Sequence, residues 1–392
     1  MKRLAFHEVL TVLVTFCGCM SAHGQALGII WSEPKYVVDG GYARVHRLND
    51  GSLMMAFASG SKGNICFSQD NGDTWSPKKA VFIETESNGK GGVNVSNSEF
   101  TQLRSDNPCH PDRIIYAANL RPKNNRSSVI PYSIAVIKSD DGGKTWSAIE
   151  VIYSSKTWNS DVVRGCYEPF VLELPDGTVQ VYFADETPYY AAGTEFQNIS
   201  VIESHDGGDT WGEARIVCYT EGFRDGMPVG TVVGETIFLA VEAIGNNVRF
   251  HPEIVSSDVN DSWSQIVYGE SENRFNPLEI HLDSENIYAG APYLIQTENY
   301  LVLSYQSSEG AEEPNTKHST MEVQLCPKDE IKDGRFLTMR SPSRPLIGLD
   351  QTVDKALWNA LCDLGNDEIL AISQWNSSIY VTRGKIVGAS DL

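Results

Sequence analysis

Two glutamates, Glu168 and Glu242, are candidates for acid–base chemistry. Glu168 lies in residues 166–170, with the sequence CYEPF, and Glu242 lies in residues 240–243, with the sequence AVEA. Two carboxyl groups that face each other can cleave the acetal link of a sugar chain, because one protonates the leaving oxygen while the other attacks the carbon or activates a water. The alternative for each glutamate is a structural carboxylate paired with a nearby arginine. Which alternative applies depends on the elements that position the two side chains.

A repeated segment indicates how those elements are organised. The pattern S-x-D-x-G-x-[ST]-W occurs at residues 68–75, 139–146 and 204–211, and a fourth copy at residues 256–263 has asparagine in place of the glycine. Each copy follows a β-rich run and predicts a hairpin turn, in which the aspartate bonds to backbone N–H groups and the glycine adopts a positive φ. A single active site does not need four scattered copies, so we expect a structural role for the four aspartates. They are Asp70, Asp141, Asp206 and Asp258.

A second pattern, a strand followed by a tight turn and another strand, occurs six times. The copies cover residues 45–57, 99–118, 170–183, 230–241, 293–305 and 360–373. Combined with the turns described above, they predict six units of four antiparallel strands, which is an all-β fold of the six-bladed β-propeller class. Residues 31–38 resemble the strand that follows each turn. We therefore expect them to form the outermost strand of the last blade and to close the ring.

The connectivity of a blade predicts where functional side chains gather. The first strand begins at the face where the second strand ends, because the two form an antiparallel hairpin, and the turn after the third strand lies at the opposite face. Residues at first-strand starts and second-strand ends should therefore surround the mouth of the central channel. They include Glu168 and Glu242 together with Arg44, Asp185, Glu186, Arg224, Gln306, Trp358, Asn359, Trp375 and Asn376.

The composition of this mouth suits sugar cleavage, which needs two acids across the glycosidic bond and amphipathic rings that pack against the sugar faces. We predict Glu168 and Glu242 as the catalytic pair and a further set of residues as substrate-binding. That set is Arg44, Asp185, Glu186, Arg224, Tyr293, Gln306, Trp358 and Asn359. Of these, the arginines would orient the substrate or a catalytic carboxylate. Tyr189 and Tyr190, in the insertion between the second and third strands of blade three, are either walls of a sugar subsite or packed loop residues.

The repeats and several more specific segments resemble known families. The four turns match the Asp-box repeats of sialidase-like propellers. Residues 166–170, 223–228, 240–243, 290–294, 303–306 and 357–359 together resemble glycoside hydrolase family 93, the exo-α-1,5-L-arabinanases. The resemblance implies a retaining exo-hydrolase that acts on α-1,5-linked L-arabinan or a related plant polysaccharide. It also implies Glu242 as the nucleophile and Glu168 as the acid/base, with the pKa of Glu168 raised by burial and by the charge of its partner.

Two other functions remain open from the sequence. A sialidase is expected to hold a substrate carboxylate with three arginines and to use a tyrosine–glutamate nucleophile. Arg44 and Arg224 supply two such arginines, whereas the start of blade five, residues 289–292, lacks the third in register. Arg249 or Arg274 would have to substitute. The second alternative is a glycan-binding propeller without catalytic activity.

The net charge of the chain argues against a nucleic-acid partner, and its motifs and cysteines indicate no metal site. The 392 residues include 31 basic and 51 acidic side chains, a formal net charge of −20, so the phosphates of a nucleic acid would be repelled. An oligo- or polysaccharide is the expected partner, and a monomer is the expected state. The sequence contains no CxxC or HExxH motif, so we predict neither a metal nor a cofactor. Beyond residue 24 the cysteines are expected to be buried free thiols, with at most one disulfide.

The N-terminal residues have the features of a secretory signal. Lys2 and Arg3 precede an apolar stretch at residues 9–19, and residues 22–24 offer the small side chains of a cleavage site. We expect residues 1–24 to be removed and residues 25–392 to form one propeller domain that is secreted or periplasmic. No membrane span is predicted, because no apolar run reaches about 20 residues. Anchoring as a lipoprotein at Cys19 is the alternative.

Overall fold

Six antiparallel sheets, arranged as the blades of a β-propeller, make up the described part of the chain. The computed structural model describes residues 27–84, 92–123, 130–156, 164–192, 196–244, 249–278, 287–311, 316–338 and 342–388. The predicted fold class is confirmed. The predicted signal peptide, residues 1–24, lies outside the described residues and stays a prediction. No helix in the described ranges is long and apolar enough to cross a membrane.

The chain begins with two short strands, β1 (Leu27–Trp31) and β2 (Lys35–Asp39), and then builds the blades in sequence order. Blade one contains β3 (Gly41–Arg47), β4 (Leu53–Ser59), β5 (Lys62–Ser68) and β6 (Lys79–Phe82). Blade two contains β7 (Val93–Gln102), β8 (Ile114–Pro122), β9 (Ser133–Ser139) and β10 (Glu150–Ser154). Blade three contains β11 (Cys166–Glu173), β12 (Val179–Asp185), β13 (Asn198–Ser204) and β14 (Arg215–Cys218).

The remaining blades follow the same order with changes at their outer edges. Blade four contains β15 (Arg224–Val233), β16 (Thr236–Ile244), β17 (His251–Asp258) and the short β18 (Arg274–Phe275). Blade five contains β19 (Ala289–Gln296), β20 (Tyr300–Ser307) and β21 (Thr320–Pro327), and a single bridge from Val323 to Ser343 stands in the place of a fourth strand. Blade six contains β22 (Ala356–Gly365), β23 (Glu368–Trp375) and β24 (Ser378–Gly388). Short 3-10 helices lie at Thr187–Ala192, Thr316–His318 and Lys328–Glu330.

The N-terminal strands close the ring. Both β1 and β2 pair antiparallel with β24, the third strand of blade six, and place Ile29 opposite Ile386 and Tyr36 opposite Tyr380. The start of the chain therefore supplies the outermost strand of the last blade, as predicted, and this strand region begins further toward the N-terminus than the sequence indicated. Hydrogen bonds between the two ends of the chain hold the ring together.

The repeated aspartate segments form turns after the third strands of their blades. In the second copy the Asp141 carboxylate accepts hydrogen bonds from the backbone N–H of Thr145 at 2.9 Å and from its hydroxyl at 2.6 Å. Asp70 and Asp206 accept equivalent bonds. Each of these turns is stabilised by its own side chains, at the blade end opposite the start of the first strand.

The fourth copy folds differently, because it has asparagine at the glycine position. Asp258 accepts a hydrogen bond from the backbone N–H of Asn260 at 2.8 Å. Trp263 adopts a φ of 62° and is buried, and its ring N–H donates to the Tyr182 hydroxyl at 2.8 Å. This copy therefore anchors blade four to blade three rather than repeating the turn of the other three.

One backbone irregularity recurs in the first strand of every blade. The register between the first and second strands shifts through a β-bulge, as between Gly226 and Val229 in blade four. In each bulge one residue adopts the left-handed conformation, with φ between 48° and 60°, which is uncommon for residues other than glycine. The six residues, called the bulge ring below, are Tyr42, Asn97, Glu168, Met227, Ala291 and Trp358. Four of them, from blades one, four, five and six, pack against one another, so the ring surrounds the centre of the propeller.

The apolar core lies between neighbouring blades, where alternate strand residues of adjacent sheets meet. All six cysteines in the described residues are free thiols, and Cys109 is exposed. The other five are buried in the core, as expected. They are Cys66, Cys166, Cys218, Cys326 and Cys362.

Candidate active site

Glu168 belongs to the bulge ring and takes its position from the bulge of β11. Its φ of 60° turns the side chain out of the regular strand alternation, and Pro169 follows it on the innermost strand of blade three. The carboxylate accepts a hydrogen bond through Oε2 from the backbone N–H of Met227, 2.9 Å away in blade four. Glu168 is thus fixed from its own blade by backbone conformation and from the next blade by a hydrogen bond.

Glu242 lies toward the end of β16 and is held in the same manner by blade five. It pairs in register with Gly226, the residue before Met227. Its carboxylate accepts a hydrogen bond through Oε2 from the backbone N–H of Ala291 at 2.8 Å. The two glutamates therefore flank one bulge, that of blade four, which brings the two predicted catalytic side chains together at the bulge ring.

The environment of this pair disfavours two negative charges. Burial raises the pKa of Glu242 to about 8, and the charge of Glu168 adds to the effect. Burial also raises the pKa of Glu168, but the charge of Arg121, the Met227 N–H and the charges of Arg44 and Arg224 oppose it. With a pKa of about 8, Glu242 holds a proton near neutral pH.

Arg224 borders the pair and is oriented by a buried carboxylate. Its Nη2 donates to Glu186 Oε1 at 2.8 Å and to Gln197 Oε1 at 3.0 Å. Glu186 in turn accepts hydrogen bonds from the Gly165 N–H and the Tyr167 hydroxyl, both at 3.1 Å. One third of the Arg224 side chain remains exposed, so it can still reach a ligand, whereas Glu186 serves to hold it.

Arg44 and Tyr293 lie beneath the bulge ring rather than in the open mouth. Arg44 is 1% exposed, and its guanidinium carbon lies 4.0 Å from the centre of the aromatic ring of Tyr42. Its Nε lies 3.5 Å from Glu99 Oε2. The Tyr293 hydroxyl donates to the same Glu99 carboxylate at 3.3 Å. In these positions the two side chains support the bulge ring, and neither has surface exposed to a sugar.

Three further predicted residues sit where blades five and six meet. Gln306 is fully buried, accepts a hydrogen bond from the Trp358 N–H at 3.0 Å and donates to the Tyr288 hydroxyl. Asn359 is also buried and accepts a hydrogen bond from Ser373. Trp358 keeps part of its ring accessible beside Tyr42, with the ring centroids 5.9 Å apart. Trp358 is therefore the residue of the three that can contact a sugar face.

The remaining predictions in blades three and six occupy packed positions. Asp185 is buried, accepts hydrogen bonds from the Tyr153 hydroxyl and the Thr187 N–H, and has its pKa raised by burial. Tyr189 stacks on Tyr219 with ring centroids 5.0 Å apart, the loop packing that was one of its two alternatives; the side chain of Tyr190 lies outside the described part. At the end of β23, Trp375 packs on Tyr380, and Asn376 bonds to Asp354.

Sequence reasoning missed three residues that interact electrostatically with the two glutamates: Arg121, Tyr42 and Tyr288. Arg121 ends the second strand of blade two, a position that the connectivity rule covers. The sequence pattern predicts the end of that strand at residue 118 and therefore does not include Arg121, whereas the strand extends to Pro122. Tyr42 could be found only from the bulge, and Tyr288 precedes its strand. Among the described residues, no group of three His, Cys, Asp or Glu side chains could hold a metal ion.

The comparisons with known proteins agree on the fold. No protein-family model and no curated protein matches the sequence. Among solved structures, a protein of unknown function from Dyadobacter fermentans is 12% identical, with a TM-score of 0.64 over 92% of this chain and 100% of that one. A variant of an α-L-arabinofuranosidase from Fusarium graminearum is 15% identical, with a TM-score of 0.62 over 92% and 99%.

An arabinan-acting enzyme and several sialidases are also similar in structure to this chain. An α-L-arabinanase from Penicillium chrysogenum, solved with arabinobiose, is 17% identical, with a TM-score of 0.60 over 93% of this chain and 99% of that one. Sialidases also match, at lower TM-scores. These identities are too low to assign the reaction. What they establish is that the chain has the six-bladed propeller fold that family 93 arabinan-acting enzymes share with sialidases.

Proposed function

We propose that this protein is a secreted or periplasmic retaining glycoside hydrolase that releases sugars from the end of α-1,5-linked L-arabinan or a related plant polysaccharide. The pair Glu168 and Glu242 carries the proposal. Two half-buried carboxyl groups from neighbouring blades are each anchored by one backbone N–H, and the charge of one raises the pKa of the other. A pair that holds one proton near neutral pH supplies both the acid and the anion that glycoside cleavage requires.

The proposed reaction uses the two carboxyl groups in turn. Glu242 attacks the anomeric carbon while the proton of Glu168 passes to the departing oxygen, which leaves a glycosyl ester on Glu242. Glu168 then takes a proton from the water that attacks the same carbon, and the sugar leaves with its configuration retained. Near neutral pH Glu242 holds a proton, so this order of roles requires the proton to pass to Glu168 before the first step.

A neutral sugar suits the charges of the protein. The chain has a net charge of −20, and the carboxyl groups of Glu168 and Glu242 lie at the bulge ring. A polyanionic glycan would be repelled by such a surface. Two of the similar solved structures are, by name, an α-L-arabinofuranosidase and an α-L-arabinanase, and arabinose is an uncharged sugar.

The sialidase alternative has less support from the arginines. Arg44 is buried beneath the bulge ring beside Glu99. Arg274, one candidate for the third arginine, donates to both oxygens of Asp225 at 2.8 and 2.9 Å and also pairs with Glu253. A substrate carboxylate would have to displace these partners, at the cost of leaving a buried Asp225 unpaired.

A comparison of substrates tests the proposal. The purified protein should hydrolyse linear α-1,5-arabinan and an aryl α-L-arabinofuranoside and leave sialyllactose intact, and proton NMR of the first product should show the α anomer. Glu242→Gln, purified in parallel, controls for contaminating hydrolases. Release of sialic acid would favour the sialidase, and binding of arabinan without any product would favour the glycan-binding propeller.

A further inference from the structure

Arg121 is a cation at the channel mouth that the proposed reaction does not yet use. It lies at the end of β8, where the second strand of blade two reaches the bulge ring. The carboxyl group of Glu168, in the bulge of blade three, experiences the charge of Arg121 more strongly than that of Arg44 or Arg224. Blades two and three therefore meet at this arginine and this glutamate.

Two asparagines clamp the guanidinium in place. Its Nε donates to Asn119 Oδ1 at 2.6 Å and its Nη2 donates to Asn97 Oδ1 at 2.5 Å. Asn97 belongs to the bulge ring, and the guanidinium also lies 5.2 Å from the centre of the Tyr167 ring, next to Glu168 in sequence. These three contacts fix the position of the guanidinium.

The clamp is itself tied to the strand that carries Glu168. Asn119 is fully buried, and its amide N–H groups donate to the Cys166 carbonyl at 2.7 Å and to the Ser133 carbonyl at 3.1 Å. Cys166 lies two residues before Glu168 in β11. A buried hydrogen bond therefore joins the strand that carries Arg121 to the strand that carries Glu168.

The two asparagines leave the positive charge of Arg121 uncompensated. Amide oxygens are neutral acceptors, and within the described ranges no carboxylate oxygen lies within 4.0 Å of this guanidinium. Arg224, by contrast, is paired with Glu186 at 2.8 Å, and Arg44 faces Glu99. Arg121 can thus act on a carboxyl group at longer range, which a neutralised arginine does only weakly.

We propose that Arg121 is a positioning residue for Glu168, whose clamped guanidinium favours the carboxylate and so lets Glu168 accept a proton in the second half of the reaction as well as donate one in the first. Burial alone raises the pKa of Glu168, which suits an acid but opposes its action as a base. The inference rests on the proposed hydrolase function. The titratable or charged groups that face Glu168 are Arg44, Tyr42, Arg121, Arg224, Glu242 and Tyr288.

Kinetics as a function of pH test this role on an aryl α-L-arabinofuranoside. In Arg121→Met the acid limb of the kcat profile should move up by about one pH unit, since the carboxylate loses a favourable charge. Because the good leaving group spares the first half-reaction, kcat should fall more than kcat/KM. Arg121→Lys should restore most of the limb, and Arg121→Gln is a second neutral variant. Arg104→Met, which removes an arginine at the opposite end of the same blade, should leave the limb in place.

A titration that needs no turnover completes the experiment. The carboxyl band of Glu168, identified by its loss in Glu168→Gln, is followed by difference infrared spectroscopy across pH. Its midpoint should lie higher in Arg121→Met and Arg121→Gln than in the parent and in Arg104→Met. An unchanged midpoint, or activity reduced equally at every pH, overturns the inference. A shifted midpoint in a protein that hydrolyses no glycoside contradicts the proposed function and leaves the role of Arg121 standing.

Discussion

The Glu242 carboxylate accepts a hydrogen bond from the backbone N–H of Ala291, 2.8 Å away in the next blade. Glu168, in blade three, accepts the same kind of bond from the backbone N–H of Met227 in blade four. Ala291 and Met227 occupy equivalent left-handed positions in their bulges. The β-bulge thus presents a backbone N–H group to the preceding blade. In blades four and five this N–H group positions the carboxyl groups of Glu168 and Glu242.

The roles within the pair can be separated by replacing each glutamate. Glu242→Gln should abolish turnover of every substrate, because an amide does not attack the anomeric carbon. Glu168→Ala should retain activity on aryl glycosides with good leaving groups and recover rate with azide, which replaces the water that needs a base. Steady-state rates with and without azide measure both effects. Azide rescue of the Glu242 variant instead would reverse the two roles, and full activity in either variant would place the catalytic acids elsewhere, with Asp185 and Glu186 next.

The raised pKa of Glu242 predicts a pH-dependent gain in stability for Glu242→Gln. Glu242 has a pKa of about 8 in the folded protein and an ordinary pKa near 4.5 when unfolded. Between these values the folded state holds a proton that the unfolded state has released, so the parent loses stability as pH rises from 4.5 to 8. The glutamine variant lacks this loss.

Melting temperatures at two pH values measure this effect. The variant should melt above the parent at pH 7.5, and the difference should shrink at pH 5, where both states of the parent are closer to full protonation. Glu213→Gln, an exposed glutamate after a turn, is the matched control and should show no such pH dependence. A difference that is the same at both pH values contradicts a raised pKa for Glu242.

Gly290 provides a way to displace Glu242 without touching its charge. A Cβ at this position would lie 2.4 Å from the Tyr288 hydroxyl oxygen and 2.8 Å from Glu242 Oε2. Gly290→Ala should therefore shift the carboxylate and reduce kcat roughly 10- to 100-fold. At Gly212 the nearest atom to a new Cβ is 3.6 Å away, so Gly212→Ala is the control and should keep parental activity. Equal activity in the two variants would show that the position of Glu242 does not limit the rate.

The aspartate turns should matter for stability and not for catalysis. Asp141→Ala removes the acceptor for the Thr145 N–H and hydroxyl, and should lower the melting temperature by roughly 1 to 3 °C. The same direction is expected for Asp70→Ala and Asp206→Ala. Asp106→Ala, an exposed aspartate outside the turns, is the control. If Asp141→Ala lost turnover at an unchanged melting temperature, the structural role of these turns would be wrong.

The sequence by itself determined the repeat and therefore the architecture. Turn chemistry is local, since an aspartate and a glycine a few residues apart favour the same turn wherever they occur. Six hairpins and the strand-like residues 31–38 then predicted the six blades and the closure at β24. Antiparallel connectivity placed Glu168 and Glu242 at one end of neighbouring blades, because strand direction follows from the order of the elements alone.

Only the tertiary structure decided which mouth residues remain available to a substrate. Arg44 and Gln306 satisfy the connectivity rule, yet both are buried among partners from other blades. The bulge turns Glu168 toward Met227 in the next blade. Asn97 and Asn119 fix Arg121 within blade two, and Asn119 also bonds to Cys166 in blade three. Such contacts join residues far apart in sequence and are set by the packing of whole sheets, so no local pattern in the chain encodes them.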